Sequence, residues 1–522
     1  MKANYISQSS RDKLGIFFVV ATFTILLAMK IAWGVFDNGC PTFTLNMINQ
    51  IKSGKFPASF PAAPDIPANY HQAHLIISAI VSNIFHLDSL QALKIFILFF
   101  SVIGFSILAQ ASRRSMGNFF GPITVLTCYV ASSFPNSETW TFTSKELDWY
   151  EYLSLFQYLV SPSWPLTIFF CSLTLVRITG EEQLMKRMPL LLIVLIPVNA
   201  TAFSILFSTY LIYLSFQTFE SFRKSRSLFK YLTQALILFA IYLLKGFAVS
   251  AFKVGVEYEQ PAVSFRPSSA GYWGFQLFYL NLQTPLILIG FAVIARMVLN
   301  RYKGVAWFFV LFFLTSISFP VVFKLNGVDD WDNSHKFVVL TSFSSILLLI
   351  KYFEGRSTRF HLKKNYILML LAVVLIAAPS NFNDVTSRSN PALSSLLTKS
   401  KNTELSDFLN KSSSRKMIWV YYTKDFDFCG NGTLNETSAA AAGYYGNNFL
   451  LSNAREKSIE EDRVFFEKIP YQTLKRNSAL EHIVIVSADK LRYFEQEETY
   501  LARKFNFHYA LPGYYLFKFN LS

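Results

Sequence analysis

The chain has 522 residues, of which 52% are hydrophobic and only 16% are charged, and its mean hydropathy is +0.32. In a soluble protein of this length about a quarter of the residues are charged, and the apolar residues do not form long runs. The composition therefore excludes a purely soluble protein. The net charge of +15 would suit either nucleic-acid binding or the basic cytoplasmic loops of a membrane protein. Four cysteines without zinc or iron–sulfur spacing exclude a disulfide scaffold and such metal centres.

The first apolar run, near residues 14–34, follows the basic residues Lys2, Arg11 and Lys13. No small-residue cleavage site follows it, so we expect an uncleaved signal anchor. Later apolar runs predict ten more transmembrane helices, because about 20 apolar residues span the hydrocarbon core. They lie near residues 91–112, 118–134, 158–178, 189–199, 201–219, 231–250, 277–299, 305–323, 336–353 and 366–379. Between the fourth and fifth of these, Pro197 and Asn199 predict a break and a turn near the outer side.

Basic residues fall on alternate connections between the predicted spans. The basic connections lie at residues 2–13, 113–114, 186–187, 223–230, 301–303 and 356–364. Short loops rich in Lys and Arg stay cytoplasmic. The sequence therefore predicts a bacterial inner-membrane protein with a cytoplasmic N-terminus and a periplasmic C-terminus, and it argues against nucleic acid as a partner.

These patterns predict a membrane all-α bundle of about 11 transmembrane helices over residues 1–380, with a large first periplasmic loop at 34–90. A polar linker at 381–400 leads to a soluble periplasmic α/β domain at 401–522. In that domain the segments MIWVYY, HIVIVSA and YYLFKFN are typical of strands, and EEDRVFFEKI is typical of an amphipathic helix.

The first outer loop carries the first candidate site. Asp37 follows the first helix by a few residues, at the expected outer surface. His71 and His74 precede the apolar stretch Leu75–Phe85, which is too short to span and is expected to lie in the interface or to dip in and return. Lipid-linked substrates need such an arrangement, because their phosphate sits at headgroup level. The two histidines could equally tie down the loop.

The second outer loop places Glu138, Glu146 and Asp148 beside Trp149. Carboxylates next to indole rings suit a carbohydrate, since sugar C–H faces stack on aromatic rings while the hydroxyls bind acids. An aromatic belt at the bilayer surface is the alternative explanation.

The fifth outer loop is the densest outer charge cluster. Asp330 and Asp332 have a D-x-D spacing that can hold a divalent cation such as Mg²⁺ or Mn²⁺ between phosphate oxygens. Alternatively Lys324, Lys336 and Arg266 neutralise a phosphate directly.

Cys40 and Cys429 are the cysteines on the predicted outer side, whereas Cys128 and Cys171 lie within predicted spans. An oxidising compartment permits a Cys40–Cys429 disulfide that would tie the C-terminal domain over the first loop. A pair of free thiols is the alternative.

Together these features resemble the polytopic membrane glycosyltransferases of the GT-C fold, which use polyprenyl-phosphate-linked sugars at the outer face of the membrane. Asp37 occupies the place of the family's acidic residue after the first helix. Residues 70–75 (YHQAHL) take the place of a Y-H-P-P-L helix but lack its prolines. Asn333 and the tripeptide at 335–337 (HKF) resemble the N-x-K-F or H-K-F start of a late helix.

The C-terminal region is also similar to the outer domains of that family. SAAAAGYYGNNFLLSN precedes Arg455 and an acidic helix, and the strand HIVIVSADK follows. Among bacterial proteins the layout resembles the phage-type O-antigen glucosyltransferases that change serotype, which also have a large first outer loop and an outer C-terminal region.

The resemblance implies an inverting hexosyltransferase that moves a sugar to a lipid-linked or surface glycan such as O-antigen of lipopolysaccharide. Asp37 would act as the general base. Donor-phosphate contacts would come from His71, His74, Arg266, Lys324, His335 and Lys336.

Three other functions compete with the transferase. An O-antigen polymerase or ligase usually carries its large outer loop late in the chain. A lipid-linked glycan flippase would show charges at the middle of its spans or repeated halves with broken helices. A non-enzymatic scaffold is the third, and site mutagenesis would exclude it.

Overall fold

The structure is a computed structural model. It describes residues 2–32, 41–52, 54, 56–60, 63–67, 72–87, 89–117, 120–130, 155, 159, 163–224, 228–251, 264–265, 285–300, 302, 304–324, 335–354, 416–420, 448–451, 481–487, 491, 505–511 and 514–519.

Twelve helices and nine strands lie within these residues. The helices are α1 (Lys2–Ala32), α2 (Pro41–Lys52), α3 (Gln72–Phe85), α4 (Ser89–Met116), α5 (Phe120–Val130), α6 (Ser163–Leu175), α7 (Glu181–Val198), α8 (Ala200–Arg223), α9 (Phe229–Ala251), α10 (Pro285–Leu299), α11 (Ala306–Val322) and α12 (His335–Glu354). The strands are β1 (Ser59–Phe60), β2 (Ala63–Pro67), β3 (Ser264–Phe265), β4 (Phe323–Lys324), β5 (Lys416–Val420), β6 (Asn448–Leu451), β7 (Glu481–Ser487), β8 (Phe505–Leu511) and β9 (Tyr514–Phe519).

Ten of the eleven predicted spans coincide with described helices, which confirms a helical membrane architecture. The eleventh, 366–379, lies outside the described residues. Within the described part, three helical segments are long and apolar enough to cross a membrane, namely Gln91–Met116, Ala200–Arg223 and Phe229–Ala248. Several other apolar helices are shorter, so the count of eleven spans stays a prediction.

The break predicted around Pro197 and Asn199 is confirmed. Helix α7 ends at Val198, and Asn199 alone separates it from α8 with extended backbone angles (φ −162°, ψ 107°). The Asn199 side chain accepts a hydrogen bond from the Ala202 N–H at 3.1 Å and so caps α8. Since α7 and α8 also pack against each other, they form a tight helical hairpin.

The chain divides into two compact units. The first comprises Met1–Lys30, Ile97–Ser250 and Tyr258–Thr386, and the second comprises Ile31–Phe96, Ala251–Glu257 and Ser387–Ser522. The second unit groups the loop after the first helix with the C-terminal residues. The chain passes from the first unit to the second between Thr386 and Ser387, within the predicted linker at 381–400, and the predicted domain division stays a prediction.

Aromatic stacking forms the core between α1, α4 and α5 in the first unit. The rings of Phe23 and Phe105 stack with centroids 4.0 Å apart. Tyr129 meets both rings edge-on, at 5.6 and 5.3 Å. Such offset and T-shaped pairs contribute beyond the area they bury.

Helix α12 is the central helix of the first unit. Residues 339–348 are all buried, and α12 packs against α5, α8, α10 and α11. A helix that is buried on every side lies inside a bundle. Two of its buried hydroxyl groups are hydrogen-bonded within the helix. Ser344 and Ser345 both donate to the Thr341 carbonyl at 2.9 Å.

Glycines permit two close approaches in the first unit. A Cβ at Gly104 of α4 would lie 3.3 Å from the Phe169 backbone of α6. A Cβ at Gly121 would collide with the Ser112 carbonyl, and Gly117 takes a left-handed φ of 109° at the end of α4. Gly117 and Gly121 therefore make the tight turn between α4 and α5 possible.

A buried lysine joins α12 to the end of α6. Lys351 Nζ donates to the Val176 carbonyl at 2.9 Å and to Glu354 Oε2 at 2.6 Å. It also lies 5.4 Å from the centroid of the Phe309 ring. The Lys351 side chain is only 6% exposed, so these contacts replace its hydration.

Replacing Lys351 with alanine is expected to lower the free energy of unfolding by about 1–3 kcal/mol, because the partly buried Val176 carbonyl loses a charged donor. Thermal unfolding in detergent measures the change.

Lys186 is the matched control for this substitution. It donates to Glu182 at the same 2.6 Å, but its side chain is 73% exposed. This hydrogen bond holds the pKa of Glu182 below its ordinary value, yet an exposed pair contributes little to stability. We expect Lys186→Ala to leave the melting temperature unchanged, and equal losses for the two alanine variants would contradict the role given to Lys351.

The second unit combines loop helices with the C-terminal sheet. Helix α2 packs against α3, β1 and β6, and Ser89 donates a hydrogen bond to Asn49 of α2. Strands β1 and β2 form a short antiparallel pair. The larger sheet has the order β6-β5-β7-β9-β8, with parallel β6, β5 and β7 and antiparallel β9 and β8.

Three of the five strands in that sheet were predicted from sequence, namely β5, β7 and β9. Strands β6 and β8 were not predicted. The predicted helix EEDRVFFEKI, at residues 460–469, lies outside the described residues.

Candidate functional site

A short ladder brings two separate loops together in the first unit. Strand β3 pairs antiparallel with β4, in the register Ser264 with Lys324 and Phe265 with Phe323. Paired strands lie about 4.8 Å apart. Arg266, which follows β3 directly, lies outside the described residues, as does its side chain. The pairing nevertheless places Phe265, which precedes Arg266, opposite Phe323, which precedes Lys324. Arg266 and Lys324 are both predicted to bind phosphate.

The start of α12 belongs to the same end of the bundle. Strand β4 directly continues α11, and α11 packs extensively against α12. Residues 325–334 alone separate β4 from α12, and helices joined by a short connection pack as antiparallel neighbours. His335 and Lys336 therefore begin α12 at the end that carries the β3–β4 ladder. A helix N-terminus also favours a bound anion, because its N–H groups and dipole present positive charge.

Helix α3, in the second unit, carries a buried polar stripe. His74, Ser78 and Ser82 follow one another at intervals of four residues and are buried. The opposite side exposes Ile80, Ile84 and other large apolar side chains. An apolar outer face over a polar inner stripe suits a helix that contacts the bilayer, as expected for the stretch after His71. The role of His74 in substrate binding stays a prediction.

Most other predicted site residues lie outside the described part of the chain. They are Asp37, Cys40, His71, Glu138, Glu146, Asp148, Trp149, Arg266, Asp330, Asp332 and Cys429. The side chains of Lys324, His335 and Lys336 are likewise not described. Among the described residues no cluster of three or more His, Cys, Asp or Glu side chains could hold a metal ion. A cation at Asp330 and Asp332 therefore stays a prediction.

The sequence did not predict a polar network between α7, α8 and α9. Tyr231 donates to Glu181 Oε1 at 2.8 Å, and Tyr210 donates to Gln234 Oε1 at 2.9 Å. The Tyr213 hydroxyl is buried nearby. Tyrosines at i and i+3 inside an apolar run are the sequence signal for such a network, since a buried phenol needs a hydrogen-bond partner. Tyr210 and Tyr213 lie near the middle of α8, and the two hydrogen bonds tie α9 to α8 and to the start of α7.

Comparisons with known proteins identify the fold and leave the family open. No protein-family profile matches the chain, and no curated protein matches it. Among solved structures, ArnT from Cupriavidus metallidurans bound to undecaprenyl phosphate is 10% identical with a TM-score of 0.56, over 97% of this chain and 98% of that chain.

Two further structures align with much of this chain at lower TM-scores. The same ArnT in the apo state is 9% identical with a TM-score of 0.49, over 95% of this chain and 97% of that chain. The archaeal oligosaccharyltransferase AglB from Archaeoglobus fulgidus, in complex with an inhibitory peptide and a dolichol-phosphate, is 13% identical with a TM-score of 0.36, over 97% of this chain and 74% of that chain. TM-scores below 0.5 do not establish a common fold. The undecaprenyl-phosphate-bound structure of ArnT does, so this chain shares the fold of that structure along nearly its whole length.

Proposed function

We propose that this protein is an integral-membrane glycosyltransferase that moves a sugar from a polyprenyl-phosphate donor to a lipid-linked or surface glycan. The observation that carries the proposal is the fold shared with ArnT over 97% of the chain, in a structure that holds undecaprenyl phosphate. The reaction takes place at the outer face of a bacterial inner membrane. The alternation of basic loops supports this sidedness.

The donor phosphate binds at the end of the bundle formed by β3, β4 and the start of α12. Lys324 and Arg266 supply charge from the two paired loops, and Lys336 and His335 supply it from the helix start. The pairing of Ser264 with Lys324 supports this site, because it joins two loops that are remote in sequence. Several cations around one phosphate stabilise the charge that grows on the leaving group.

Asp37 acts as the general base in this proposal. Its carboxylate takes the proton from an acceptor hydroxyl as the hydroxyl oxygen bonds to the anomeric carbon. The bond from that carbon to the phosphate oxygen breaks on the opposite face, so the polyprenyl phosphate leaves and the configuration inverts. Because phosphate is already a good leaving group, the protein mainly has to orient the acceptor and hold the phosphate.

The remaining predicted residues take supporting roles. Glu138, Glu146, Asp148 and Trp149 contact the sugar or the acceptor glycan. His71 and His74 are proposed to contribute to binding of the donor phosphate. A divalent cation at Asp330 and Asp332 would add a further positive charge at the phosphate.

The composition of the cell-surface polysaccharide tests the proposal. Mass spectrometry compares cells that carry the native chain with cells that lack it, at matched protein levels in the membrane. We expect one additional hexose-sized unit per repeat when the chain is present, for instance on O-antigen. A glycan of unchanged composition that is shortened or missing without the chain would instead indicate a polymerase, a ligase or a flippase.

A further inference from the structure

Helix α9 contacts the rest of the first unit along one narrow stripe. Its members repeat at intervals of three and four residues, namely Tyr231, Gln234, Leu238, Ile241 and Lys245. This spacing places them on one side of the helix, and Tyr231, Leu238 and Ile241 are buried. The other sides of α9 expose large apolar side chains, namely Leu232, Leu236, Phe239, Leu243 and Phe247. Helix α9 therefore presents most of its surface to lipid and one seam to α8.

The polar groups at the inner end of this α8–α9 seam are paired. Gln234 accepts a hydrogen bond from Tyr210 of α8, and Tyr231 donates one to Glu181. This end adjoins the basic connection at 223–230, which the alternation of basic loops places in the cytoplasm. Hydrogen bonds within the protein therefore satisfy the inner end of the seam.

A lysine occupies the outer end of the seam. Lys245 lies about 24 Å beyond the start of α9, in the outer part of a hydrocarbon core of about 30 Å. Its Nζ atom lies 4.8 Å from the centroid of the Phe203 ring, one turn after the start of α8. Phe203 in turn stacks on Phe207 with centroids 5.5 Å apart, and the Tyr242 ring lies 6.2 Å from that of Phe207. The half-buried Lys245 side chain thus lies against an aromatic cluster.

Within the described part of the chain, Lys245 has no carboxylate partner. Other lysines of the first unit do pair with a glutamate, namely Lys186, Lys224, Lys230 and Lys351. A cation in the membrane costs free energy unless a negative group lies beside it, and aromatic rings replace such a group only in part. The start of α8 adds positive potential. The outer end of the seam therefore favours an anion.

An anion can reach Lys245 from the bilayer. Leu243 and Phe247, which are close to Lys245 in sequence, are exposed on the lipid-facing side of α9. Tyr242 is 58% exposed, so its hydroxyl can donate a hydrogen bond to a group that arrives from the bilayer. A lysine that only extends along the lipid-facing surface toward the headgroups would not lie on the stripe that faces α8.

We propose that the outer end of the α8–α9 seam binds the phosphate of an anionic phospholipid from the outer leaflet. Lys245 supplies the positive charge, and Tyr242 donates a hydrogen bond to a phosphate oxygen. The acyl chains lie along the exposed side chains of Phe239, Leu243 and Phe247. A bilayer phospholipid fits this place because the seam borders the lipid-facing surface of α9 and offers a cation at its outer end. The lipid compensates the charge of Lys245 and holds α9 against α8.

Native mass spectrometry of the full chain, stripped of lipid in detergent and titrated with phosphatidylglycerol, tests the site. Lys245→Met keeps an apolar side chain of similar length over Phe203 but removes the charge. We expect it to raise the Kd of the first bound phosphatidylglycerol about tenfold, the equivalent of one charge-assisted hydrogen bond. Lys245→Arg should bind like the native chain. The same Kd for Lys245→Met and the native chain would overturn the proposal.

Lys224→Ala is the matched control for the lost charge. Lys224 lies at the inner end of α8, where it is half-exposed and pairs with Glu220. Its removal should leave the Kd of phosphatidylglycerol unchanged. A rise equal to that of Lys245→Met would show a general attraction of the basic chain for anionic lipid and would also overturn the proposal.

A second titration, with undecaprenyl phosphate, separates this site from the donor site. We expect Lys245→Met to leave the Kd of undecaprenyl phosphate unchanged. A loss of affinity confined to undecaprenyl phosphate would place Lys245 in the donor site and contradict binding of a bilayer phospholipid. Neither titration requires sugar transfer, so the result stands apart from the proposed function.

Discussion

Asp37→Asn is expected to lower kcat/KM for sugar transfer by about 100- to 10,000-fold, the usual contribution of a general base. Asparagine preserves the size of the side chain but cannot take the proton of the acceptor hydroxyl. Binding of the donor should therefore be retained while the chemical step slows. The measurement is the rate of transfer from a polyprenyl-phosphate-linked sugar, with the purified protein in lipid nanodiscs.

Asp12→Asn is the matched control for this variant. Asp12 is a carboxylate near the predicted cytoplasmic end of α1, so its loss should leave transfer unchanged. Both variants must reach the membrane at the native level. Normal transfer by Asp37→Asn would show that Asp37 is structural and that another group takes the proton.

Substitution of Lys324 or Arg266, the two basic residues next to the β3–β4 pair, should have the second largest effect on sugar transfer. Lys324→Ala is expected to lower kcat/KM for the donor by about 100-fold or more, in the range found for a lost transition-state donor. Arg266→Ala should act similarly. Because β3 and β4 are hydrogen-bonded neighbours, the two substitutions should couple, so the double variant loses less than the product of the single effects. Steady-state kinetics over a range of donor concentrations gives these values.

Two further variants make this prediction specific. Lys324→Arg keeps the charge and should retain most activity. Lys303→Ala removes a basic residue from the other end of α11 and should have no effect. Independent, fully multiplicative losses in the double variant would argue against a common phosphate at the ladder. Loss of activity on chelation with EDTA would support the cation predicted at Asp330 and Asp332.

Local patterns predicted much of the fold. Apolar runs located ten described helices, because hydropathy and helix length depend on neighbouring residues. The break at Asn199 followed from a proline and a capping residue in an apolar stretch. Strands β5, β7 and β9 followed from β-branched and aromatic segments. Strands β6 and β8 were not predicted, because they depend on pairing with strands remote in sequence.

The candidate site was predicted less completely. Sequence reasoning proposed Lys324, Arg266, Lys336 and Asp37 from residue chemistry and a family resemblance. It could not show that the loops of Lys324 and Arg266 meet, since that depends on the pairing of β3 with β4 across the whole of α10 and α11. The structure brings these two loops together, and the roles of the side chains stay predictions.

The sequence by itself determined the membrane architecture, the positions of most helices and the helical break at Asn199, because hydrophobicity and capping act within a few residues. Only the tertiary structure decided which distant segments meet. It joined α2 to β6, β3 to β4, and Lys351 to the carbonyl of Val176. Such contacts depend on how packed helices and paired strands satisfy buried polar groups, which no local pattern of residues encodes.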